Sequence, residues 1–172
     1  MSSFAERLFQ PSVTVAAVIA RRGDDDRTRY LLVEEETPEG LRLNNPAGHL
    51  DPGESPLEGA VREALEETAR RFTPEALLGV YLSRVRRATS GEDVTYVRLA
   101  FAGTAGEPEP GRALDEGIVR TLWLTLDELR ASAARHRSPL VLACVEDHAR
   151  GRRFPLDLVT THASVFAPPV AS

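Results

Sequence analysis

Hydrophobic positions along the chain follow two periods. Residues 13–20, V-T-V-A-A-V-I-A, are almost continuously apolar and β-branched, which predicts a central strand covered on both faces, and residues 30–36 follow as its partner. The charged stretch 22–27 between them reads as a solvated turn, and its run of three aspartates is assigned no function. Residues 77–87 and 94–102 form two further strands joined around Ser90-Gly91 as an antiparallel hairpin, and residues 118–124 another. A turn at 37–40 and the stretch 41–45 lead into the first helix. The helical period begins at Ser55, where Ser55-Pro56-x-Glu58 combines an N-cap, a proline at the first helical position and a capping box. Steps of 100° then put Leu57, Val61, Ala64, Leu65, Thr68 and Phe72 on one stripe, the expected buried face. Thr125-x-x-Glu128 is a second capping box, opening a helix to about Ala134, and a last helix is expected over 139–150, stopped by Gly151.

The Gly/Pro/Glu-rich stretch 103–111 is a loop within one domain, because the core-like pattern resumes after it. One domain over residues 1–172 is therefore expected, with its core at about 9–159 and a flexible tail at 160–172. A net charge of −5 argues against a nucleic-acid polymer or an anionic membrane as partner, so an anionic small molecule would have to be drawn by local charge. The single Cys144 cannot form an internal disulfide, the opening M-S-S-F-A-E-R is too polar for a signal peptide, and no apolar run approaches a membrane span. These features point to the cytoplasm, with monomer and homodimer both open.

Opposite the apolar stripe of the first helix, Glu63, Glu66 and Glu67 fall together through i, i+3 and i, i+4 spacing. At roughly 6 Å and an effective dielectric of about 20, each pair repels by on the order of 2–3 kcal/mol, more than an exposed helix gains from propensity. Carboxylates without thiols or clustered imidazoles suit a hard divalent cation, Mg²⁺ above all, completed by water and substrate phosphates. Glutamates on one helical face are also what a solvated side looks like, and the surrounding spacing decides between the two readings.

That spacing is Gly48, five residues, Glu54, seven residues, then Arg62-Glu63-Ala64-Leu65-Glu66-Glu67. It resembles the signature box of the Nudix hydrolases, enzymes that cleave a nucleoside diphosphate linked to another group with Mg²⁺ held by the box glutamates. The segments V-T-V-A, V-E-E at 33–35, N-x-P-A-G-H-L at 44–50, R-S-P-L-V at 137–141 and P-L-D at 155–157 are similar to the bacterial phosphatases of the NudJ group, over roughly residues 9–159. The resemblance implies an α/β Nudix fold, an α/β/α sandwich with a mixed β-sheet between helices. It also implies a Mg²⁺-dependent phosphohydrolase, with Mn²⁺ as a substitute, acting on phosphoanhydride bonds of nucleoside di- and triphosphates or thiamine-pathway pyrophosphates and releasing phosphate. An ADP-ribose or nucleotide-sugar pyrophosphatase is the alternative within the class, and a non-catalytic nucleotide-sensing module the alternative outside it.

Carried onto matching positions, the resemblance makes Glu63, Glu66 and Glu67 metal and base residues, with backbone carbonyls of Ala47 or Gly48 as further ligands and Glu54 with Arg62 as a structural pair. The general base is left open between Glu63, Glu66 and an acid of the 107–116 loop, Glu116 being the external candidate. Arg84 and Arg86 on the 77–87 strand, Arg98 on the 94–102 strand and His49 beside the box glycine are candidate phosphate contacts. Three positions depart from the pattern: Ala69 where glycine is usual, Arg70 where a hydrophobic residue is usual, and Leu43 where many relatives carry tryptophan. Alanine and arginine both continue a helix, which predicts an extra turn stopped at Thr73-Pro74 and an Arg70 beside Glu66 and Glu67.

Overall fold

The computed structural model describes residues 9–87 and 90–168, so the expectations for the polar opening at 1–8 and for the end of the tail at 169–172 lie outside the described residues. Strand β1 (Ser12–Arg22) is the spine of the sheet and is buried from Val15 to Ile19, as its unbroken apolar run requires. Strands β2 (Thr28–Thr37), β3 (Gly40–Asn44), β4 (Ala47–His49), β5 (Phe72–Arg86), β6 (Asp93–Ala105) and β7 (Ile118–Thr125) complete it. One side of β1 pairs antiparallel with β4 through Thr14, Val15 and Ala16, then with β2 through Ala20, Arg21 and Arg22. Its other side pairs in parallel with β6, which pairs antiparallel with the edge strand β5. β2 also pairs with β3 and β7, both antiparallel, which makes a seven-stranded mixed sheet.

Alternate residues of the central strands feed two cores. Ala16, Val18, Ala100 and Ala102 pack on Leu129 of helix α2 (Leu126–Ala131) and on Val141, Cys144 and Val145 of helix α3 (Leu140–Ala149). Val15, Ala17, Ile19 and Phe101 pack instead on Ala60 and Ala64 of helix α1 (Pro56–Thr68). This is the expected layering of helices on both faces of a mixed sheet.

Both capping boxes form: Ser55 Oγ accepts from the Glu58 N–H at 3.2 Å and the Glu58 carboxylate from the Ser55 N–H at 2.8 Å, and Thr125 with Glu128 repeats the arrangement. α2 is shorter than expected because the Ser132 hydroxyl donates to the Leu129 carbonyl, and the chain continues as a 3-10 turn at Ala133–Arg135.

Two expectations for α1 are corrected. The helix ends at Thr68 rather than near Thr73, with Ala69 left-handed at φ 55° and its N–H donating to the Leu65 carbonyl. The cause is tertiary: Phe72 is needed as the first residue of β5, where it is buried, so the chain must turn within residues 69–71. Pro74 does not stop the helix but sits in β5, where an edge strand tolerates the missing donor. The buried face is also rotated from the expected stripe: Ala60, Glu63, Ala64, Glu67 and Thr68 are buried, whereas Leu57, Val61 and Leu65 are only partly so. The small residues at 60 and 64 let the helix approach the sheet closely, turning two of the box glutamates onto β4.

Candidate active site

The loop at 50–55 and the first turns of α1 are held by Arg62. Its Nε and Nη2 donate to the two oxygens of Glu54 at 3.0 and 2.8 Å, and Nη2 also reaches the His49 carbonyl at 3.0 Å. Its Nη1 donates to Glu63 at 2.7 Å and Glu66 at 3.0 Å. Glu54 in turn accepts from the Asp51 N–H at 2.8 Å, so one guanidinium fixes the loop, the strand before it and the acidic face of the helix.

β4 receives the other two carboxylates through its backbone. A Cβ on Gly48 would lie 2.1 Å from Glu63 Oε1 and 2.3 Å from its Cδ, so the carboxylate occupies the space a side chain would fill. One residue earlier, the Ala47 N–H donates to Glu67 Oε2 at 2.9 Å. Glu63 and Glu67 are 8% and 7% exposed, unusual values for glutamate. Burial raises both pKa values, that of Glu67 to about 8, against the lowering effect of the Ala47 N–H on Glu67 and of Arg62 on Glu63. Glu67 has no cationic partner among the described residues.

The loop following β6 meets the same helix. Asp115 donates its N–H to the Glu66 carbonyl at 3.0 Å, and the charge of Asp115 bears on both Glu63 and Glu67. Glu116, expected as the external acid, is exposed and one position past this contact, because the turn from the Asp115 carbonyl to the Ile118 N–H runs through Gly117 at φ 86°. Of the two acids, the fold brings Asp115 to the box.

Arg70 is also corrected. It is buried and turned away from Glu66, with Nη1 donating to the Gly106 carbonyl at 2.7 Å and the guanidinium near Glu107 and over the Trp123 ring, 5.7 Å from its centroid. The left-handed Ala69 reverses the chain and sends the next side chain into the loop instead of along the helix.

A cleft of about 600 Å³ opens beside β4, on the α3 side of the sheet. Thr14, His49, Tyr96 and Arg98 line it, together with Ser83 and Val85 of β5, Ala47 and Gly48, and Arg137, Ser138 and Leu140 at the start of α3. Arg98 and Arg86 therefore reach the cleft, as does His49, whose ring lies 6.5 Å from that of Tyr96. Arg84 does not: strand alternation places it opposite Ser83 and Val85, where it is exposed and paired with Asp93. Arg98 is 7% exposed, and burial lowers its pKa. Its contacts with the side-chain oxygens of Asn45 and Asn44 are long, 3.5 and 3.4 Å, and its Nε is unpartnered, as are the neighbouring Thr14 Oγ1 and Asn45 Nδ2.

Two features of the cleft emerge only from the fold. Glu35 stands on the cleft wall with its pKa raised by burial, accepts from Asn44 at 3.4 Å, and its charge reaches Glu67. The Asn44-Asn45 pair holds Arg98. The N-x-P-A-G-H-L segment carried the asparagines, but only strand register could place them against Arg98.

Among the described residues no three carboxylates or imidazoles are gathered closely enough to grip an ion as they stand, since Arg62 Nη1 lies where Glu63 and Glu66 converge. The donor chemistry nevertheless fits a hard divalent cation: Glu67 is a buried carboxylate with no ion-pair partner among the described residues, and Glu63 and Glu66 share a single arginine. No helix is long and apolar enough to cross a membrane, among the described residues.

Comparison with known proteins matches a NUDIX domain model over residues 11–144. The phosphatase NudJ of Escherichia coli K12 is 32% identical over 152 residues, covering 88% of this chain and 92% of that protein. A solved NUDIX hydrolase from Nitrosomonas europaea superposes with a TM-score of 0.76 at 48% identity, covering 89% of this chain and 98% of the other. The NUDIX domain of Shewanella oneidensis NrtR, complexed with ADP ribose, shares the fold with a TM-score of 0.65 at 18% identity, over 87% of this chain and 94% of that one.

Proposed function

From the premise that this chain belongs to the Nudix hydrolases, we propose that it is a Mg²⁺-dependent phosphohydrolase releasing phosphate from nucleoside di- and triphosphates or thiamine-pathway pyrophosphates. The observation that carries the proposal is the set of three box carboxylates, of which Glu63 and Glu67 are buried against the backbone of β4 while Glu63 and Glu66 share one arginine.

In this reading Glu63, Glu66 and Glu67 hold the metal, with Mn²⁺ able to replace Mg²⁺ and backbone carbonyls of Ala47 or Gly48 as further ligands. The ion, when bound, neutralises phosphate oxygens and makes water a nucleophile at neutral pH. The chain supplies the rest. Arg62 and Glu54 keep the loop and helix in register, and Arg62 Nη1 orients the carboxylates of Glu63 and Glu66, which would hold the ion together with Glu67. Glu63 or Glu66 accepts the proton of the attacking water, with Asp115 as the loop acid nearest to them. His49 and Arg86 meet the substrate where it passes from the box into the cleft.

The test is phosphate release from a panel of nucleotides and thiamine pyrophosphate, with and without Mg²⁺. Metal-dependent turnover is expected, and Glu66→Gln should lower it by orders of magnitude with the fold retained. Absence of turnover across the panel rejects the enzyme and leaves a nucleotide-sensing module, recognised by binding alone. A second reading, hydrolysis of ADP-ribose or a nucleotide sugar, is favoured by the ADP-ribose complex of the NrtR NUDIX domain. The product set separates the two, orthophosphate for the first and two phosphorylated halves for the second. A reducing compartment is proposed with either, consistent with the buried free Cys144.

A further inference from the structure

The box and the cleft lie on opposite faces of the same sheet. Gly48 pairs with Val15, whose side chain is in the core shared with α1, and it is on that side that Glu63 packs. His49 pairs with Thr14, and Thr14 with Arg98, a row on the α3 side where Ala16 and Ala100 also point. A substrate with its scissile pyrophosphate at the box therefore crosses β4 to place its remaining part in the cleft.

The chemistry of that cleft is cationic beyond what one pyrophosphate needs. Five arginines line it against two glutamates, in a protein of net charge −5. Glu35 is occupied by Asn44 and Arg137, and Glu39 by Thr37. Arg42, Arg86 and Arg98 have no carboxylate partner among the described residues. Arg98 is the most informative of them, a guanidinium more than nine-tenths buried, held by two long contacts to neutral amides and by the Cys144 thiol but by no ion pair, with its Nε and the neighbouring Thr14 Oγ1 and Asn45 Nδ2 unpartnered. A buried charge is ordinarily paired or hydrogen-bonded throughout. A planar fork with free donors is complementary to the oxygens of an anion.

Resting on the phosphohydrolase reading above, we propose that the preferred substrate carries a second anionic group, remote from the scissile pyrophosphate, which Arg98 and the cleft arginines bind on the α3 side of β4. A nucleotide phosphorylated on the ribose as well as at its 5′ end has this form.

The test is calorimetric binding to the metal-free protein, which requires no turnover. Adenosine 5′-monophosphate and adenosine 3′,5′-bisphosphate are the probes, with inorganic phosphate as a reference. The bisphosphate is expected to bind at least tenfold more tightly than the monophosphate, and Arg98→Met to reduce that ratio towards one. Arg98→Lys retains the charge without the fork and should give an intermediate ratio. Should Arg98→Met unfold, as judged by its thermal transition, Arg42→Gln takes its place with an expected partial loss. Equal affinities in the unaltered protein, or a ratio unchanged by substitution, would overturn the proposal. Failure of the enzymatic reading appears differently, as absence of metal-dependent turnover with the binding ratio intact.

Discussion

Replacing Gly48 with alanine tests whether Glu63 is held by the backbone of β4. The position is not left-handed, so alanine meets no backbone strain, and its effect arises from the added methyl alone. That carbon would sit 2.1 Å from Glu63 Oε1, where ordinary contact begins at 3.4 Å, so the carboxylate must retreat by about 1.3 Å. The obstacle is the end of a side chain, so the loss of stability should fall near the lower end for overpacking, about 1 kcal/mol. In a chain of 172 residues this lowers Tm by roughly 2–4 °C. The functional effect should be larger, because a misplacement of about 1 Å in a reacting constellation lowers rate by on the order of 10²-fold, or about 2.7 kcal/mol. Phosphate release at saturating Mg²⁺, read beside a thermal melt, separates the two. A Gly48→Ala variant with unaltered kcat/KM would refute the placement of Glu63 in the metal set; a collapse of Tm would refute the claim that the strain stays local.

Three further outcomes are expected. Glu67→Gln should raise Tm of the metal-free protein at pH 8–9 and abolish Mg²⁺-dependent turnover: a folded-state pKa of about 8 against 4.5 makes the carboxyl's contribution complete below pH 4.5 and lost as pH rises through 8, by at most about 5 kcal/mol, and equal melting of the two proteins at high pH counts against it. His148, bonded to the Tyr30 hydroxyl at 3.1 Å, has its pKa lowered to about 4 by burial, so the unfolded chain takes up its proton first and stability falls as pH drops from 6.5 towards 4, by at most about 3 kcal/mol; His148→Phe should flatten that acid limb in urea titrations. Arg70→Met should speed amide exchange at residues 106–115 about tenfold without unfolding the sheet, and unchanged exchange would show that the loop is held without it.

What the sequence made legible was local. Both capping boxes and the buried run at 15–19 form because their determinants lie within a few residues of one another. The candidate site was legible as far as the helix reached: Glu63, Glu66 and Glu67 share a face, and Arg62 meets Glu54. Apart from the early end of α2, which has a local cause in Ser132, the differences at the site involve register between distant segments. β4 was not anticipated as a strand, since three residues carry no period, and with it went the backbone contacts that bury Glu63 and Glu67. Spacing groups Arg84 with Arg86, yet only Arg86 reaches the cleft where the strand ends. Asp115 rather than Glu116 meets the helix because of a turn whose position depends on the strand that follows.

The end of α1 joins these points. Alanine in a left-handed conformation costs about 1–2 kcal/mol, which glycine would avoid, so the position needs contacts that hold it there. They come from the loop after β6: the Ala69 carbonyl accepts from the Glu109 N–H at 2.7 Å, the Arg71 carbonyl from Gly106 at 3.3 Å, and Arg70 donates to the Gly106 carbonyl. The same loop, nine residues past Gly106, delivers Asp115 to Glu66. Residues that look like faults in the box therefore lie outside its acidic face and serve as anchors for the loop that completes it. A conventional glycine and hydrophobic residue at 69 and 70 would ease the turn and remove the cationic anchor, so the double variant Ala69→Gly, Arg70→Val should retain the helix end while loosening Asp115. Loss of protection at 106–115 with α1 unchanged is the expected pattern; equal loosening of both would show that the left-handed turn, and not Arg70, is what holds the loop.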